Sequence, residues 1–100
     1  MQSIEDLRAG KVAWLEKMRG EVARGNASVD AAQVERLGVG ADKLLREYET
    51  TTSANRRLLC SAALEYLASV EDAISDLVVG GLDDDEHVFR VVDAELRRQE

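Results

Sequence analysis

Proline is missing from this 100-residue chain, and cysteine and histidine occur once each, as Cys60 and His87. Without proline, no helix interior suffers a lost amide donor or a ring clash. A single cysteine excludes an intrachain disulfide, which fits a reducing compartment and leads to the expectation of a cytoplasmic protein. One cysteine and one histidine are also too few soft ligands for a zinc site. Aromatic residues are limited to Trp14, Tyr48, Tyr66 and Phe89, so the core has to be built from Leu, Val, Ile and thirteen alanines. Side chains that small suit close helix-on-helix packing. Only seven glycines and little strand-like alternation make an all-β reading poor. The segment Met1-Gln2-Ser3-Ile4-Glu5-Asp6 has neither a basic nor an apolar run, so no signal peptide or membrane span is expected.

Positive charge is also absent over a long stretch. Residues 1–57 carry 10 Lys/Arg and 9 Asp/Glu, whereas residues 58–100 carry 3 Arg and 11 Asp/Glu. The first part therefore nets +1 and the second −8, which together give the formal −7. Between Arg57 and Arg90 every charged side chain except His87 is an acid. Such a balance disfavours direct nucleic-acid binding, because phosphates would be repelled, and it suits a basic protein surface.

What is present reads as helix. Ser3 followed by Asp6 resembles a capping box, and Ile4, Leu7, Trp14/Leu15, Met18 and Val22 recur at helical spacing, with Lys11 interrupting. Gly25-Asn26 stops this first helix. Ser28 is the expected cap of a short second helix through about Leu37, broken by Gly38-Val39-Gly40, with a further segment from Ala41. Yet Val34, Leu37, Ala41, Leu44, Tyr48, Thr51, Asn55 and Leu58 keep 3/4 spacing, so one long bent helix is the alternative. Thr50-Thr51-Thr52 disfavours helix, and Ser53 can cap a new one. The clearest helix is expected from about Ala54 to Val79, ended by Gly80-Gly81, and a last one from about Asp84 to Arg98. The fold class is all-α: a single domain over residues 1–100, a compact bundle of four to five helices with no sheet.

On a helical wheel with Glu65 at 0°, Leu59, Ala63, Tyr66, Val70, Ile74 and Leu77 fall between roughly 100° and 180°, and Asp72 and Asp76 within about 20° of Glu65. Three carboxylates thus share a face away from the expected core. Asp83-Asp84-Asp85-Glu86 follow as a dense acidic run. One of the four suffices as a helix cap, and the others gain from the helix dipole. Glu65, Asp72, Asp76, Asp83, Asp84, Asp85 and Glu86 are the candidate partner-binding residues. Asp72, Asp76, Asp83 and Asp84 are the candidate ligands in an alternative hard-metal reading, although no EF-hand loop is present. Cys60 is read as a packed thiol and His87 as a solvated or ion-paired imidazole.

Residues 59–97 resemble the YkvA-like family, small bacterial helical domains without an established biochemical function. That family has an apolar helix ending in Tyr-Leu, an Asp-x-Ile-Pro-Asp turn, and a Gly-x-Leu-Asp-Asp segment opening another helix. The matching positions here are Tyr66, Ser69, Asp72, Ile74, Asp76, Gly80 or Gly81, Leu82, Asp83 and Asp84. Val70 and Ser75 stand where the family has its two prolines, and the spacing is one residue short. The resemblance implies a helical segment with an acidic turn.

Three functions follow as expectations. The leading one is a non-enzymatic acidic interaction module without a cofactor. It would dock carboxylates onto a basic, nucleic-acid-binding partner as an inhibitor or decoy, in the manner of anti-CRISPR proteins and antitoxins. The second is a YkvA-like domain with a metal-binding or hydrolytic acidic turn. The third is a helical oligomerisation module, in which apolar stripes in excess of one small core join copies.

Overall fold

A computed structural model describes residues 3–69 and 81–99. Among them the chain is all-α, with four helices packed as a bundle: α1 (Ile4–Ala23), α2 (Ala31–Thr50), α3 (Ala54–Ala68) and α4 (Asp83–Arg98). The first three pack on one another, and α4 lies against α3 and α2. None is long and apolar enough to cross a membrane.

The helix starts follow capping chemistry. Ser3 Oγ accepts from the Asp6 amide at 3.2 Å, as the sequence predicts. The second cap is Asp30, not Ser28. Its carboxylate accepts from the amides of Ala32 (2.9 Å) and Gln33 (3.2 Å), while the Ser28 amide donates to Asn26 Oδ1 in the preceding turn. Val29 and Val34 flank this cap, and both are buried in the core, in the positions of a hydrophobic staple. Gly25, with φ +83°, makes the left-handed turn that follows α1.

The expected break at Gly38-Val39-Gly40 does not occur. Residues 31–50 form one helix, which keeps the buried stripe Val34, Leu37, Ala41, Leu44 and Leu45 in phase. The glycines serve close approach instead. A Cβ on Gly38 would stand 3.4 Å from Leu15 Cδ1 of α1, and one on Gly40 would stand 2.9 Å from Phe89 Cδ2 of α4. The real break is at the threonines. Thr50 Oγ1 donates to the Arg46 carbonyl at 2.9 Å, Thr51 is extended (ψ 146°), and Thr51 Oγ1 accepts from the Ser53 amide at 3.2 Å. Short polar side chains here offer the backbone an alternative to continued helix. Ser53 then caps α3, accepting from the Arg56 amide at 3.3 Å.

A second correction concerns α3. It stops at Ala68, with Ser69 extended (ψ 148°), and so does not run on to Val79. Its buried face is Cys60, Ala63, Leu64 and Leu67. On the wheel that face lies roughly 70° from the direction expected. Val70, Ile74 and Leu77, which follow the end of α3 in the sequence, shift the apparent stripe toward Tyr66. Tyr66 is partly exposed.

Polar contacts bind α1 to α2 along their antiparallel length. Arg8 pairs with Glu49 (3.2 Å), Lys11 with Asp42 (3.0 Å) and Arg19 with Glu35 in a two-pronged contact (2.7 and 2.9 Å). Lys11 interrupts the apolar stripe only at its tip: the stem is largely covered and the ammonium reaches Asp42.

Gly20 lacks such a packing role. A Cβ there would meet nothing nearer than the mobile end of Arg24, at 3.6 Å. Gly20→Ala is therefore expected to stabilise the protein by about 0.5–1 kcal/mol through helix propensity. Urea titration measures it; a loss of stability would show that α1 is more closely packed at this point.

Candidate functional site

The acidic run at the start of α4 is the densest candidate, and the structure takes most of it apart. Asp83, Asp84, Asp85 and Glu86 all lie in the first turn, where the helix dipole favours them. None is the cap: that position is Leu82, without a side-chain bond. Asp85 is fully buried. It continues the core stripe of α4 one turn ahead of Phe89, Val92 and Leu96, so it cannot present a carboxylate to a partner. Its spacing of four residues before Phe89 is the sequence signal that marks it as inward.

Glu86 is already engaged. Its carboxylate accepts from Arg36 Nε at 3.1 Å and Gln33 Nε2 at 3.3 Å, both on α2, and from Arg90 Nη2 at 3.4 Å. Gln33 Nε2 also donates to Asp83 Oδ1 at 2.8 Å. Two residues assigned to an outward docking patch, Asp83 and Glu86, thus form a clasp between α4 and α2. Asp84 alone of the run is exposed and without a hydrogen-bond or ion-pair partner among the described residues. Glu65 is likewise exposed on α3. Asp72 and Asp76 lie outside the described residues.

The Arg36 guanidinium, with Gln33, Arg90 and the charge of Arg36 helping against burial, holds the Glu86 carboxyl below its ordinary value. A carboxyl depressed on folding adds stability above its unfolded pKa, about 4.3, which is lost as pH falls through the lower folded value. Glu86→Gln is therefore expected to destabilise at pH 7, with the difference from the parent shrinking below pH 4. Urea unfolding at pH 7 and pH 3 reads this; an equal difference at both pH values would place the effect in packing.

No three His, Cys, Asp or Glu side chains come together to hold a metal ion among the described residues. His87 is exposed. Cys60 is buried at the α3 core face. Burial, with the Glu47 carboxylate adding and Arg56 opposing, pushes its thiol up to about 11. The nucleophile is the thiolate, so Cys60 is inert. Ellman's reagent at pH 7.5 is expected to leave it unmodified in the folded protein and to label it fully in denaturant. Rapid labelling without denaturant would contradict its placement.

Two further features come from the packing of the helices. The sequence leaves Arg56 as either a solvated helix start or a partner of the acidic face; in the bundle its Nε donates to Glu47 Oε1 at 2.6 Å, and Nη1 donates to the Leu96 carbonyl at 2.8 Å. It ties α3 to α2 and to the last turn of α4. Its neighbour Arg57 lies over the Tyr48 ring at 5.8 Å. The second is a cleft of about 210 Å³ between α2 and α4, floored by Leu37, Leu44 and Phe89 and rimmed by Arg36, Lys43 and Arg90 together with Glu86 and Asp93. Comparisons with protein-family models, curated proteins and solved structures give no match.

Proposed function

We propose that the chain is a non-catalytic interaction protein that docks carboxylates onto a basic surface of a nucleic-acid-binding partner and inhibits it. The observation supporting this is where the cations of the acidic half turn. Arg90, Arg97 and Arg98, its only three, face Glu86, Asp93 and Glu95 within α4 itself. That leaves no cation of this half to neutralise Glu65 and Asp84, which are exposed. The patch now rests on Glu65, Asp84 and the sequence-assigned Asp72 and Asp76, rather than on the whole run from Asp83 to Glu86. Exposed carboxylates of this kind speed association with a cationic groove and make it salt-sensitive.

The test is affinity capture with the parent, followed by binding measurements on the purified captured protein at 50 and 300 mM salt. A variant combining Glu65→Gln, Asp72→Asn, Asp76→Asn and Asp84→Asn is expected to bind at least tenfold more weakly at low salt, with unchanged helicity. Equal binding by parent and variant would end the proposal.

A second reading, a YkvA-like domain with a metal-binding acidic turn, has one observation in its favour. α3 ends at Ala68, directly after Tyr66-Leu67, where that family's turn begins. Asp72, Asp76, Asp83 and Asp84 would be the ligands. Thermal melts with millimolar Mg²⁺, Ca²⁺ or Mn²⁺ decide it: a shift lost in Asp76→Asn supports it, and no shift removes it.

A further inference from the structure

We propose that the outer face of α2, together with the α2–α4 cleft, is a second docking surface whose occupant is an acidic polypeptide segment carrying an apolar anchor. The proposal is independent of the carboxylate patch. Arg36, Val39, Lys43 and Arg46 recur at intervals of three and four residues and so form one stripe on α2. Val39 is 60% exposed, the most exposed large apolar side chain among the described residues. It sits in shallow depressions shared with Arg36, Lys43 and Arg46 and with Glu35, Asp42 and Glu47. The cleft beside it has an apolar floor, with Arg90 of α4 on the far rim.

The charge distribution carries the argument. The chain has seven more acids than cations, and among the described residues most cations have a carboxylate within 4.0 Å. Lys17, Lys43, Arg46 and Arg57 have none, and of these Lys43 and Arg46 adjoin one another on this stripe. The carboxylates nearby are drawn elsewhere: Asp42 to Lys11, Glu35 to Arg19, Glu47 to Arg56 and Asp93, on the cleft's own rim, to Arg97. Arg36 and Arg90 share the single carboxylate of Glu86 and remain 58% and 74% exposed. The rim thus mixes both signs, but its acids are paired and its free charges are Lys43 and Arg46; set around exposed valine and an apolar floor, these complement a segment with carboxylates one turn on either side of a leucine or phenylalanine. Such grooves take amphipathic helices. Nucleic acid fits less well, because phosphates make no use of an apolar floor and meet the −7 of the whole chain.

The probe is a fluorescein-labelled 18-residue helical peptide of glutamate and alanine with leucine at every third or fourth position, followed by anisotropy in 50 mM salt. Saturable binding is expected. Lys43→Gln with Arg46→Gln, and separately Val39→Ser, should each weaken it at least tenfold. The charge-matched control, Lys17→Gln with Arg57→Gln, should not, and thermal melts should show all variants folded. No saturation at millimolar protein, equal loss in the control, or tighter binding of a single-stranded oligonucleotide would overturn the proposal. So would sedimentation showing that the parent self-associates and the Lys43/Arg46 variant does not, which would make the occupant a second copy.

Discussion

Arg56→Met is expected to lower the stability of the folded chain by about 2–4 kcal/mol. The guanidinium is only 16% exposed and its partner Glu47 only 30%. Removing the cation leaves a largely covered carboxylate with no counter-charge and opens the Leu96 carbonyl at the C-terminal end of α4. Methionine retains the apolar stem, so packing loss contributes little. For a domain of this size each kcal/mol moves Tm by roughly 4–8 °C, so the fall is on the order of 10 °C or more. Arg98→Met removes an ion pair with Glu95 in which the guanidinium is 74% exposed, and is expected to cost no more than about 0.5 kcal/mol. Glu47→Gln in the Arg56→Met background should cost less than in the parent, because the charge it removes has already lost its partner. A loss below 0.5 kcal/mol for Arg56→Met would mean that the three-helix junction does not depend on this side chain.

Arg56 also shows what could be read in the sequence and what could not. Helix identity was legible because it is local: caps at Ser3 and Ser53, the Gly25 turn and the 3/4 spacing of Val34 through Tyr48 each depend on neighbours in the chain. The fate of a charge is not local. Glu47, nine residues before Arg56, and Leu96, forty after it, meet it only once α2, α3 and α4 have packed. The same holds for the acidic run. As a string it is four like charges; in the bundle Asp85 lies on the core stripe, and Asp83 and Glu86 meet Gln33, some fifty residues earlier. The end of α3 lay between these cases. Ser69 is a weak stop signal, and the apolar residues after it imitate a continuing stripe.

The glycines of α2 lead to the second large effect. Leu37→Ala is expected to cost about 2–5 kcal/mol, because Leu37 is buried and the cavity left behind cannot fully collapse. Val39→Ser, two residues along, is expected to change stability by less than about 0.5 kcal/mol, since its side chain faces solvent. The contrast tests one helix against two. In a continuous α-helix, residues two apart lie about 200° from each other, so one is in and the other out. Leu44, seven residues after Leu37, returns to the buried side, and Leu44→Ala should cost about as much as Leu37→Ala. A break at Gly38-Gly40 would free the second segment to rotate, and nothing would then hold Leu37 and Leu44 to a common face. Gly40→Leu tests the junction from the other side. A leucine Cβ placed 2.9 Å from Phe89 Cδ2 has to displace the buried Phe89 ring, or α4 with it, costing about 1–3 kcal/mol despite leucine's better helix propensity. If Gly40→Leu instead stabilises the protein, α4 does not sit against this turn of α2, and the cleft between them loses its floor.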